Sequence, residues 1–126
     1  MNFPVTFEIP YPPGKGKREW NQRFGLNAYY AGKHYQQRRR DAEELHQITW
    51  LSMRKAKIRK ETVNVPVKLT FLFDDGLDCS NHAVIVKAVE DAMKGWIIKD
   101  DSRKYVKSIT VMFHQKNCIR VVVEEA

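Results

Sequence analysis

Two hydrophobic periods alternate along this chain, and their order restricts the folds open to it. Val67, Leu69, Phe71 and Phe73 alternate with Lys68, Thr70 and Leu72, the period of two expected of a strand with one buried face. Phe3, Val5, Phe7 and Ile9 alternate in the same way with Pro4, Thr6 and Glu8. Between these segments Ala42, Leu45, Ile48, Thr49, Ser52, Met53 and Ala56 recur at helical spacing, which predicts a long helix over about 34–58. Trp50 and Leu51 flank that stripe and point to broader burial or to a partner. A second helix is expected over about 81–94, with Val84, Ile85, Ala88, Val89, Ala92 and Met93 as its apolar side and Gly95 as its stop. Strands over about 105–113 and 119–123, joined by the turn Gln115-Lys116-Asn117, read as a closing hairpin. The Pro- and Gly-bearing run 11–17 breaks regular structure, and 20–33, with Gly25, Asn27 and Gly32 among aromatics, reads as an irregular loop. The order strand, helix, strand, helix, strand, strand predicts an α/β (mixed α+β) fold, a mixed sheet with two main helices packed on it. With no internal repeat or low-complexity tract, residues 1–126 read as one domain.

A chain of 126 residues can bury a core without disulfide staples, so Cys79 and Cys118 read as free thiols. His34, His46, His82 and His114 are scattered, show no zinc-site spacing, and read as surface or packing residues. No apolar run is long enough to cross a bilayer. Met1-Asn2-Phe3-Pro4 lacks the charged start and apolar block of a signal peptide, so a cytoplasmic location is expected.

Charge is more discriminating. Lys and Arg number 22 against 15 Asp and Glu, a net charge of +7. Such a balance suits a polyanionic partner, because each neutralised phosphate releases condensed counterions. Lys15, Lys17, Arg18, Arg23, Arg38, Arg39 and Arg40 are candidate DNA contacts. Tyr29, Tyr30 and Tyr35, set among basic residues, are candidates to stack on exposed bases or to pack in the core. The acids gather elsewhere, from Asp74 to Asp78 and at Asp100-Asp101. Asp78 lies between a predicted strand and helix, and Asp100-Asp101 before the next strand. Loops of a strand–helix–strand unit can meet at one sheet end, and converging carboxylates suit Mg²⁺, a hard cation that keeps several waters. Ser80 and Asn81 are also good N-caps, and Lys87 stands one turn before Asp91, the spacing of a surface ion pair.

These segments resemble the RusA family of Holliday junction resolvases. Asp78-Cys79-Ser80-Asn81 is similar to its D-x-D-N motif, Lys87 to the lysine that follows, and Glu90-Asp91-Ala92-Met93 to a D-A-L stretch. The run 96–102 is similar to the segment carrying the family's D-D pair, while Pro12-Pro13 and the block 26–34, with Arg38, are similar to N-terminal blocks of phage-borne members. The resemblance implies a homodimeric endonuclease that resolves four-way DNA junctions by paired symmetric nicks in recombination and repair, with Mg²⁺ (or Mn²⁺ in its place) held by three aspartates. It assigns metal and catalytic roles to Asp78 and Asp101, with Asp100 as neighbouring ligand, a phosphate-facing role to Lys87, and supporting roles to Asn81 and Asp91. Bacterial cytoplasm, at the nucleoid or during phage infection, is the implied setting. The second aspartate of the motif is Ser80 here, a neutral and poorer ligand. That departure keeps open a branched-DNA-binding protein of the same fold that does not cut.

Overall fold

The structure, a computed structural model, describes residues 2–126; Met1 of the N-terminal reading lies outside the described residues. Four strands form one sheet: β1 (Val5–Pro10), β2 (Val67–Phe73), β3 (Val106–Phe113) and β4 (Cys118–Glu125). Four α-helices accompany them: α1 (Gly16–Phe24), α2 (Leu26–Tyr30), α3 (Tyr35–Lys55) and α4 (Ala83–Met93). A 3-10 turn, Cys79–His82, leads into α4. The mixed α/β class expected from the two periods is therefore the observed one.

The spatial order is β1-β4-β2-β3, with β4 antiparallel to both β1 and β2, and β3 parallel to β2. This corrects the expected hairpin. The turn after β3 crosses the end of β2, where the His114 N–H donates to the Phe73 carbonyl at 3.0 Å, and β4 pairs on the far side of β2. The sequence pattern specifies the face each side chain takes but not which strand lies beside it. β2 is paired on both edges and buries Val67, Leu69, Phe71 and Phe73. β3 is an edge strand and leaves Ile109, Met112 and Phe113 exposed.

Helix α3 confirms the long stripe. Leu45, Thr49, Ser52 and Met53 are buried, and His34 caps the helix by accepting from the Gln36 N–H at 3.1 Å. Ala56 is corrected: it follows the last helical residue and is exposed. Trp50 is half-exposed, yet its indole N–H donates to the Ala92 carbonyl at 2.9 Å and ties α3 to α4; Leu51 stays in solvent. The loop expected over 20–33 is also corrected, since α1 and α2 occupy most of it. Trp20 and Phe24, one helical turn apart, are both buried, with ring centroids 4.7 Å apart. That apolar pair anchors the short helix on the core.

Candidate functional site

The turn after β2 is built around a buried pair of opposite charges. Gly76, at φ 78°, reverses the chain in a conformation that glycine adopts without strain. Asp75 and His82 then face each other with both side chains fully buried. His82 Nε2 lies 2.9 and 2.8 Å from the two Asp75 oxygens, and Nδ1 lies 3.1 Å from the Cys79 carbonyl. A carbonyl only accepts, so Nδ1 carries a proton; a carboxylate opposite Nε2 favours a second. Burial alone would lower the His82 pKa, but the Asp75 hydrogen bond and charge outweigh it and the net direction is upward. The ring stacks on Phe73 at 3.9 Å. Asp75 Oδ1 also accepts from the Leu77 N–H at 2.9 Å, so one ion pair anchors backbone at positions 77 and 79, on either side of Asp78.

The N-terminal helices close over this turn. Asn21 donates to the Asp75 carbonyl at 2.8 Å, and the Asn27 N–H donates to Asn81 Oδ1 at 3.1 Å. Gly25 permits the approach: a Cβ there would meet the Asn21 carbonyl at 2.7 Å, with Leu77 and Asn81 just beyond. Asn81 is therefore a structural tether between α2 and the turn. Asp78 and Ser80 are exposed, and the Asp78 carboxylate caps nothing, leaving it free for a ligand. Asp75, an acid of the same turn, is committed to His82.

The second acidic turn does not meet Asp78 at one sheet end, which corrects that expectation. Because β2 and β3 run parallel, the loops before and after α4 leave from opposite ends of the sheet. The turn 99–102 instead packs against the flank of α4. Asp101 pairs there with Lys87, and with Lys94 at 3.2 Å. Lys87 also reaches Asp91 at 3.1 Å and Glu90 at 4.0 Å. The Lys87 ammonium holds the Asp101 pKa down to about 2, with Lys94 adding to it, while the same carboxylates push the Lys87 pKa up. Glu90, which the sequence did not single out, is buried, and desolvation raises its pKa. Asp100 is exposed and stands outside the cluster.

Among the described residues no three His, Cys, Asp or Glu side chains are grouped to hold a metal ion, so the three-aspartate set is not formed. What is present fits a more hydrated site. Asp78 offers a carboxylate that caps nothing, and the Asp101 carboxylate gathers two ammonium groups, those of Lys87 and Lys94. Mg²⁺ binds through as few as one or two carboxylates and keeps waters.

The basic candidates divide. Arg23 is committed inward: its guanidinium binds Asp41 at 2.8 Å and also Glu44. Lys33 binds the same buried Asp41 at 2.7 Å, and these cations outweigh desolvation to lower its pKa. Lys17 donates to Asn117 at 3.2 Å, Arg38 lies over the Tyr30 ring at 5.2 Å, and Arg39 faces Glu43 at 3.6 Å. Lys15, Arg18, Arg39 and Arg40 are exposed and available to a phosphate backbone. No helix of the described residues is long and apolar enough to cross a membrane. Compared with protein-family models the chain finds no match, and no curated protein matches it significantly.

Proposed function

We propose that this protein is a Mg²⁺-dependent, structure-selective DNA endonuclease resembling the RusA resolvases, acting on four-way junctions as a homodimer. The observation that carries the reading is the docking of Asp101 on Lys87, which joins two acidic segments of the family pattern through α4. Asp78 and Asp101, with the Ser80 hydroxyl, would hold the metal only once the two turns are drawn together and Asp101 leaves its lysines; the chemistry it would supply there is to polarise a phosphate and acidify a bound water. Lys87 would release Asp101 and turn its ammonium to the phosphate, where a compact cation stabilises developing charge. Its side chain is 58% exposed and free to make that swing. Lys15, Arg18, Arg39 and Arg40 would bind backbone phosphates, and a two-fold dimer suits symmetric cuts in two strands.

Incubation of the protein with a synthetic four-way junction and Mg²⁺ tests this. Paired nicks that disappear in Asp78→Asn and in Asp101→Asn are expected; an intact junction at every Mg²⁺ and Mn²⁺ concentration would overturn it. A second reading, a junction-binding protein without nuclease activity, is favoured by Ser80 and by the ungrouped carboxylates. It predicts salt-sensitive binding without cleavage, and nicking restored by Ser80→Asp.

A further inference from the structure

A groove of about 230 Å³ runs between α2, α3 and α4, beside the Lys87 cluster. Tyr29 and Tyr30 form one wall, Leu26 and Val84 line it further, and His46, Lys87 and Asp91 supply its polar groups. The two tyrosine rings meet at 83° with centroids 5.1 Å apart, so the buried Tyr29 braces the exposed Tyr30 ring. Tyr29 is fixed, buried with its hydroxyl donating to the Arg38 carbonyl at 2.6 Å. Tyr30, by contrast, is 59% exposed, although its ring would gain from cover.

We propose that this groove is a pocket for one unpaired nucleobase of a bound strand, stacked on Tyr30. The inference rests on the nucleic-acid reading above and goes beyond it by assigning a base site. Charge selects the occupant. Arg38 stands over Tyr30 at 5.2 Å, and Lys87 lines the groove already paired with Asp91. An aromatic ring carried on an anionic backbone matches both the exposed Tyr30 ring and the Arg38 cation beside it, whereas an aliphatic ligand or an uncharged peptide would leave Arg38 unanswered. Every base has a π face, so stacking here is tolerant of sequence. Asp91 and His46 offer a carboxylate and an imidazole to a base edge. The pocket shares Lys87 with the candidate catalytic cluster, and an extruded base in it would hold the adjoining phosphate near that lysine.

Binding to two single strands of equal length tests the proposal: a twelve-nucleotide thymidine strand and its fully abasic counterpart. The wild type is expected to bind the base-bearing strand about tenfold more tightly. Tyr30→Ala should erase that preference and leave abasic-strand affinity unchanged, and Tyr30→Trp should retain it. Equal affinity of the wild type for both strands, or a preference that survives Tyr30→Ala, would overturn the pocket. Junction nicking is scored separately. Nicking without a base preference removes the pocket and keeps the nuclease; a base preference without nicking does the reverse.

Discussion

Two clusters of paired charges, one just before α4 and one along its flank, are built on opposite physical terms. Before α4, Asp75 and His82 form a single pair sealed from water, with each hydrogen-bonding direction of the imidazole used. Along its flank, Lys87, Lys94, Asp91 and Asp101 share several partners in partial contact with solvent. A buried pair cannot exchange partners, because either charge alone in a low-dielectric interior costs several kcal/mol; about that much discourages rearrangement. An exposed network exchanges partners readily, because each pair in it contributes about 0–1 kcal/mol. The first cluster is suited to fixing the backbone around Asp78, and the second to opening for a metal and a phosphate.

The sharpest way to break this contrast is to cut one partner from each. Asp75→Asn leaves His82 buried against a neutral amide and is expected to lose about 3–5 kcal/mol of folding stability in urea denaturation. A loss below about 1 kcal/mol would place the pair in solvent and remove the distinction. Lys87→Met should change stability by less than about 1 kcal/mol. On the nuclease reading it should also slow junction nicking by about 100-fold. Substantial unfolding in that variant would make Lys87 a structural residue instead.

Acidity separates the clusters further, because their contributions fade at opposite ends of the pH scale. The His82 pKa is raised on folding, so its contribution is complete below the unfolded value of about 6.5 and is lost as pH rises through the folded value. The Asp101 pKa is lowered to about 2; its contribution is present above the unfolded value of about 3.9 and is lost as pH falls through the folded one. The stability gap between wild type and Asp75→Asn should therefore narrow from pH 6 to pH 9, measured by denaturation at each pH. A gap that widened would mean a neutral His82 in the folded protein. The smallest effect is expected at Arg39, where Arg39→Gln should lower the salt slope of junction binding by about 1 without altering stability.

What the sequence makes legible follows from range. Period two and period 3.6 are local signals, and they located β1, α3, β2, α4 and the two C-terminal strands. The short helices α1 and α2 were hidden by Gly25 and the density of aromatics, although Trp20 and Phe24 at i, i+4 were a usable sign. Strand order depends on which edges meet, so the hairpin expectation failed even though both strands were found. The site divided in the same way. The pairing of Lys87 with Asp91 follows from helical spacing, while Asp101 reached Lys87 only through tertiary packing. His82 looked like any scattered histidine, since nothing local shows that Phe73 and Asp75 enclose it. Arg23 looked like its exposed neighbours, because its partners Asp41 and Glu44 lie a helix away.

On the nuclease reading, Asp101 trades an ammonium for a metal and is drawn to the Asp78 turn, which stays fixed. Crystals soaked in Mn²⁺ measure this directly by anomalous scattering. The predicted result is one peak touching carboxylate oxygens of Asp78 and Asp101, with Lys87 displaced and the Asp75–His82 pair unchanged. A Lys87–Asp101 pair left intact, with no peak beside Asp78, would contradict it.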